Sequence, residues 1–264
     1  KYGMVYDATD DIVIYDLNSQ EKVPIASLTK IATTIVAIEE IDNLDKKVTI
    51  TYDILSTVDS EASIAGLKVG DTVTYRDLLY ASMLPSGADA TNAIAILSSG
   101  SLEKFVEKMN DLAKRLELNN TNFVNVTGLE DKEHYSTAED VNKLLLYALK
   151  NKIFKEIYTA KKYTLSNGLE VFSTLYKYNQ NSGINLDQIL GSKTGFTDEA
   201  GYCMISLANI DNHDIIITIL NDKASYQLKD TISIINLQIT AFSSLIHEIR
   251  KKSSLSTCIF INFI

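Results

Sequence analysis

The order of its two periodicities constrains this chain more than any single residue does. Met4-Val5-Tyr6 and Ile12-Val13-Ile14-Tyr15, separated by Asp- and Thr-rich residues, read as an N-terminal β-hairpin. Strand patterning returns from about 161 to 220, notably Tyr202 to Ala208 and Ile215 to Leu220. Between these ends the repeat is helical. A strongly apolar run from Ile31 to Ile41, with Asn43 near its end, is followed by patterns at about 75–84, 88–98, 101–117 and 137–150. Residues 48–75 read as short strands and turns punctuated by Gly66 and Gly70. A capping box, Ser136-x-x-Glu139, is expected to open the helix at 137. A last amphipathic helix over about 228–250 carries Ile232, Ile235, Ile239, Phe242, Ile246 and Ile249 on one face. Strands at both ends around an all-helical middle predict an antiparallel sheet built from both chain ends, flanked by helices, with an inserted all-helical subdomain. That is an α/β fold of the α+β kind. The crevice between the two parts is the expected site.

Composition removes several function classes. The 264 residues are enough to bury a core without disulfide or metal staples. With 25 Lys+Arg against 34 Asp+Glu the net charge is −9, and no basic run is interleaved with aromatics, so nucleic acid is not an expected partner. Cys203 and Cys258 lie far apart, and His134, His213 and His247 are scattered. Neither set has metal-ligand spacing, so no metal site and no disulfide framework are expected. No apolar stretch of about 18 or more residues is present to span a membrane. The chain starts at Lys1 already in strand pattern, which reads as a mature or trimmed N-terminus. The apolar end from Cys258 to Ile264 reads as the stump of an anchor, a docking segment or an appended sequence.

Ser-x-x-Lys occurs three times, at Ser19–Lys22, Ser27–Lys30 and Ser101–Lys104. Context separates them. Ser19 falls in a polar turn, and Ser101 reads as the N-cap of an ordinary charged helix. Ser27 alone opens a helix whose following residues are almost all apolar. At this spacing Ser27 and Lys30 share a helix face. A lysine at the start of a buried helix is desolvated and sits at the positive helix end, both of which disfavour its charge. Such a lysine can take the Ser27 proton and make an activated nucleophile; a capping serine followed by a surface lysine is the simpler alternative. Pro85-Ser86-Gly87-Ala88-Asp89-Ala90 places a second hydroxyl at a helix start, and by itself reads as another N-cap. Lys193-Thr194-Gly195, just before a strong strand, offers a cation and a hydroxyl to a carboxylate and a glycine for close backbone approach. Alone, that triplet reads as a turn.

Taken in order, Ser27-x-x-Lys30, Ser86-Gly87-Ala88-Asp89-Ala90 and Lys193-Thr194-Gly195 resemble the serine acyl-transferases that recognise penicillin. More closely, the chain resembles the D-alanyl-D-alanine carboxypeptidases, low-molecular-mass penicillin-binding proteins related to class A β-lactamases. Ala26-Ser27-Leu28-Thr29-Lys30 matches that family's first motif residue for residue. Gly128-Leu129 with His134-Tyr135-Ser136-Thr137-Ala138 matches its helical-domain signature, and Lys193-Thr194-Gly195-x-Thr197-Asp198-Glu199-Ala200-Gly201-Tyr202 its third motif. The resemblance runs from about residue 3 to about 250. It implies a β-lactamase/transpeptidase-like catalytic domain over 1–252, with a sheet subdomain at about 1–50 and 160–252 and a helical subdomain at about 51–159. A short apolar tail at 253–264 follows, without the family's C-terminal β domain.

By that resemblance Ser27 is the nucleophile, Lys30 its base, and Ser86 passes a proton toward the leaving D-alanine. Lys193, Thr194, Gly195 and Phe196 bind substrate, with Lys193 and Thr194 on the terminal carboxylate and the N–H groups of Ser27 and Phe196 forming the oxyanion hole. Asn179, in the segment from Tyr176, is a candidate substrate-side contact. His134 reads as a structural loop histidine. The resemblance implies no metal or organic cofactor. It implies peptidoglycan stem peptides ending in D-Ala-D-Ala and β-lactams as ligands, and a role in cell-wall synthesis and cell shape in the bacterial envelope outside the cytoplasm. Peripheral association with the membrane through the tail would fit that location.

The chain departs from the family pattern at Ala88, where the second motif usually ends in an asparagine that holds substrate and orients the lysine. The segment from Asn221 to Lys229 also lacks an arginine used by some members, leaving Lys223 and Lys229 as the available cations. Two alternatives stay open. A β-lactamase-like hydrolase would need a deacylating Glu-x-x-Leu-Asn loop, and Glu107-x-x-Asn110 has the wrong place and spacing for it. A peptidoglycan-binding protein without turnover would be explained by Ala88.

Overall fold

The computed structural model describes residues 1–179, 186–223 and 226–237. Its centre is a five-stranded sheet in the order β2-β1-β9-β8-β7, with every neighbouring pair antiparallel. The strands are β1 (Tyr2–Asp7), β2 (Ile12–Leu17), β7 (Ile189–Thr197), β8 (Gly201–Ile210) and β9 (His213–Asp222). The expected sheet from both chain ends is present: β1 pairs with β9 along its whole length, from Tyr2↔Leu220 to Asp7↔Ile215. Period-two alternation divides the central strands between two cores. Met4, Ile205, Leu207 and Ile216 face one side, and Val5, Met204, Ala208, Ile215 and Ile217 the other. Both faces must therefore be covered.

A helix over 226–237 covers the second face with Leu228 and Ile235. Ile232 packs there as expected; Ile239, Phe242, Ile246, Ile249, Cys258 and the 253–264 tail lie outside the described residues. The first face carries α6 (Ala138–Leu149) on β1 and β9 and α7 (Lys152–Thr159) on β7. Between the ends of the sheet the chain runs through α1 (Lys30–Glu40), β3 (Lys47–Thr49), α2 (Tyr52–Ser56), β4 (Thr72–Thr74), α3 (Tyr75–Met83), α4 (Ala88–Ser99) and α5 (Leu102–Arg115). After α7 come β5 (Lys162–Thr164), β6 (Glu170–Phe172) and α8 (Thr174–Asn179). Among the described residues no helix is long and apolar enough to cross a membrane.

Helix α1 is packed among α3, α4, α5, α6 and α7, and its first eight residues, Lys30 to Ala37, are all buried. A helix that is apolar nearly all round is an interior helix, and this one places Lys30 at its first turn.

Three local expectations are corrected. Ser27 does not cap α1; it lies inside a 3-10 turn, Ala26–Thr29, that precedes the helix. Ala26 opens the turn at φ +46, a left-handed conformation costly for a residue with a side chain. The cap of α6 is shifted by one residue: Thr137 accepts from the Asp140 N–H, because Ser136 is used in a backbone bridge to Val23 and a hydroxyl bond to Thr121. Helices α2 and α8 occupy stretches that read as strand and turn, each five or six residues long and too short to show a period.

Folding also gathers residues whose sequence spacing showed nothing. Asp7, Asp10 and His213 bring ligand-type atoms within 4.8 Å of one another. Asp7 spends one oxygen on the Thr9 and Asp10 amides and the other on His213 Nδ1 at 2.8 Å. The group is thus a strut joining β1 to β9.

His134 is a strut of another kind. The Val124 N–H donates to its Nδ1, so Nε2 carries the proton and donates to Thr29 Oγ1 at 2.7 Å; Thr29 in turn donates to the Ala26 carbonyl. This chain needs the neutral ring, and burial lowers its pKa to about 4. In the unfolded chain His134 protonates near its ordinary value of 6.5 while the folded ring stays neutral, so stability is lost as pH falls from 6.5 toward 4. Chemical denaturation across that window should show His134 contributing a loss of about 3 kcal/mol, and His134→Gln should flatten the profile by that amount.

Candidate active site

Ser27 and Lys30 are placed by the junction of the 3-10 turn and α1. The turn packs on β7 and β8, where Gly195 lies against it: a Cβ there would lie 2.9 Å from the Ser27 nitrogen and 3.0 Å from the Ala26 Cβ. Only glycine lets β7 approach this closely. On the other side Gly128, at φ +87, makes the same accommodation, since a Cβ would lie 1.9 Å from the Ala26 carbonyl oxygen. The strained Ala26 is thus held between two glycines and the Thr29–His134 chain.

Lys30 Nζ donates to Ser27 Oγ at 2.9 Å and to the Thr127 carbonyl at 2.7 Å. The residue is 2% exposed. Burial pulls the amine down to about 7, partly opposed by the Asp89 carboxylate. A substantial fraction of Lys30 is therefore neutral near neutral pH, with a lone pair within hydrogen-bond reach of a hydroxyl.

A second amine–hydroxyl pair stands opposite. Lys193 Nζ donates to Ser86 Oγ at 2.9 Å and to the Thr194 carbonyl at 2.7 Å. Lys193 is 1% exposed, and burial, then the Lys30 charge, push its pKa well below the ordinary lysine value. Ser86 adopts φ +63 ahead of α4, whose N-cap is Gly87 with no side-chain cap bond, so the hydroxyl is free of capping duty. Asp89 points away from this pair. It accepts the Ala65, Gly66 and Leu67 N–H groups at 2.8, 2.9 and 3.0 Å, fixing the loop before β4 against α4.

These pairs border a cleft of about 520 Å³. Ser27, Ser86, Thr194, Gly195 and Phe196 line it; Lys30 and Lys193 stand behind their serines. Its apolar wall includes Leu175, Tyr178, Tyr202 and Met204, with the Phe196 and Tyr202 rings 4.5 Å apart. Asn179 closes α8 next to Tyr178, and its side chain lies outside the described part of the structure. Ala88 is 1% exposed and faces a separate cavity of about 210 Å³, shared with Asn92 and Thr127.

The other Ser-x-x-Lys matches separate as their contexts suggested. Ser19 bonds to Asp16, and Ser101 caps α5 by accepting from the Lys104 N–H. Sequence reasoning missed Glu61, Ser63 and Gln227 in the cleft wall, and the Thr127 carbonyl on Lys30. No motif marks a main-chain acceptor; Gly128 beside it was the available signal. Of the two cations considered in place of an arginine, Lys229 lines the cleft.

The D-alanyl-D-alanine carboxypeptidase family model matches residues 1–224. The chain is 37% identical over 206 residues to the D-alanyl-D-alanine carboxypeptidase DacF of Bacillus subtilis (strain 168), covering 76% of this chain and 51% of that protein. It therefore spans about half of that relative's length. To the D-alanyl-D-alanine carboxypeptidase of Streptomyces sp. (strain K15) it is 36% identical, covering 74% of this chain and 71% of that one. The crystal structure of the Streptomyces K15 DD-transpeptidase superposes with a TM-score of 0.79 at 31% identity, over 89% of this chain and 94% of that one. With two buried amine–hydroxyl pairs on the expected motifs and these similarities over most of its length, the chain belongs to the D-alanyl-D-alanine carboxypeptidase family.

Proposed function

We propose that this chain is a serine-type D-Ala-D-Ala carboxypeptidase that removes the terminal D-alanine of peptidoglycan stem peptides and is acylated by penicillin. The observation that carries the reading is the buried Lys30 amine 2.9 Å from Ser27 Oγ in an open cleft. Neutral Lys30 accepts the Ser27 proton as Oγ bonds to the carbonyl carbon of the scissile peptide. Charge developing on the carbonyl oxygen is met by the Ser27 and Phe196 N–H groups. As the C–N bond breaks, Ser86 gives its proton to the departing D-alanine nitrogen, with Lys193 behind it to restore that proton. Thr194 and Lys193 attract the terminal carboxylate. Proton exchange through the water of the open cleft then moves the proton taken from Ser27 off Lys30 and back onto Lys193. Water attacks the Ser27 ester and gives its proton to the neutral Lys30, which returns it to Ser27 Oγ as the acyl bond breaks and the shortened peptide leaves. A β-lactam follows the first half of this path, but its ring opens without releasing a leaving group. The substrate lies in the cell wall, so the protein acts outside the cytoplasm in the bacterial envelope after export; peripheral association with the membrane would keep it beside that wall.

A second reading, binding without turnover, is favoured by one observation. Position 88 carries no polar group, so this position of α4 offers Lys30 no amide where the family usually has one. Deacylation is the step this most affects.

Three outcomes test the proposal. Brief exposure to benzylpenicillin should add one ligand mass per chain, on the peptide containing Ser27 and with a lifetime of many minutes; Ser27→Ala should show none. Rapid, continuous hydrolysis would assign a β-lactamase instead. The acylation rate should rise with pH through a midpoint near 7, where Lys30 loses its proton, and Lys30→Ala should lower it by about 100-fold or more. D-alanine release from a Lys-D-Ala-D-Ala peptide should be measurable in the parent and increase in Ala88→Asn. A parent that releases none, with activity appearing only in Ala88→Asn, would establish the binding reading.

A further inference from the structure

Only one of the two partners that hold the Lys30 amine belongs to its own motif. The other, the Thr127 carbonyl, comes from a stretch outside any helix or strand, in which Thr127 itself is only 5% exposed. Asn125 builds that stretch. Its Oδ1 accepts from the Thr127 N–H at 3.1 Å, the Gly128 N–H at 2.7 Å and Thr127 Oγ1 at 3.3 Å, while its Nδ2 donates to the Leu129 carbonyl at 3.0 Å. An asparagine closing its own following residues in this way is a side-chain turn.

Helix α1 grips the product of that turn at two consecutive carbonyls. Thr33 Oγ1 donates to Val126 O at 2.7 Å, and one turn earlier Lys30 Nζ donates to Thr127 O. Packing alone does not hold the turn, because the 210 Å³ cavity lined by Ala88, Asn92 and Thr127 lies behind it. With alanine at 88, that position of α4 offers the amine no polar partner.

We infer that Asn125 is a positioning residue for the general base: by closing the 125–129 turn it aims the Thr127 carbonyl at Lys30 Nζ and keeps that amine on Ser27 Oγ. The inference rests on the acylation chemistry proposed above. A carbonyl accepting from an ammonium favours the charged form, so the Thr127 contact opposes part of the effect of burial. The other groups acting on the amine are Ser27, the Asp89 carboxylate, Lys193 and His134. None of these is altered by a change at 125.

The test is the pH profile of benzylpenicillin acylation, read as plateau and midpoint. Asn125→Ala should lower the high-pH plateau by about tenfold or more and move the midpoint to lower pH by about half a unit to one unit. Asn125→Asp keeps the acceptor oxygen and should restore the plateau to within about threefold, its added charge holding the midpoint at or above the parent's. If the alanine variant does not fold, Asn125→Ser, which keeps a shorter acceptor, is judged by the same two readouts. An Asn125→Ala protein that melts earlier yet keeps both plateau and midpoint overturns the inference, since a structural role moves stability alone. A parent chain that is never acylated overturns the underlying reading, a result distinct from unchanged kinetics in the variant.

Discussion

Removing the Lys30 amine from water is the interaction on which this structure turns. An ammonium has no place inside an apolar bundle unless it is neutralised or partnered. Helix α1 is buried on every side over its first two turns, so its first residue cannot reach solvent. The compensation is a serine hydroxyl, a main-chain carbonyl and the Asp89 carboxylate, all fixed by surrounding structure. The same deprivation that makes Lys30 costly makes it basic at neutral pH while free of its proton. The large core around α1 provides the stability that permits it.

The site is shared between parts of the molecule that fold by different rules. Ser27, Lys30 and Ser86 stand at helix starts, where backbone strain at Ala26 and Ser86 lifts the hydroxyls clear of capping bonds. Lys193 comes from β7, one of the two edge strands of the sheet. Its register is set through β8 and β9 to β1, so the two ends of the chain determine which side of β7 the lysine occupies. A slip of one residue would turn Lys193 away from Ser86.

Much of this was legible beforehand, for identifiable reasons. The dense apolar run after Lys30 pointed to a buried helix and set this Ser-x-x-Lys match apart from the other two, and the strand periods at the two ends pointed to a shared sheet. The 3-10 turn at Ser27 was not legible, because it depends on Ala26 adopting a left-handed conformation that alanine disfavours locally and that Gly128, Gly195 and Thr29 impose from a distance. The shifted cap at Thr137 has the same origin: Ser136 is the better local candidate until Val23 claims its backbone.

The sequence by itself therefore determined the fold class, which follows from periodicity, and singled out Ser27 and Lys30 as the candidate pair by their apolar context and by the resemblance that the ordered motifs carry. Tertiary structure alone decided which groups complete the site. The Thr127 carbonyl, the His134–Thr29 chain and the Asp7–His213 strut join residues roughly a hundred or more positions apart. Two of them use main-chain carbonyls that every residue possesses, so no choice of side chain could announce them. Their positions are settled only when packing brings distant turns together and leaves each buried polar group to find a partner.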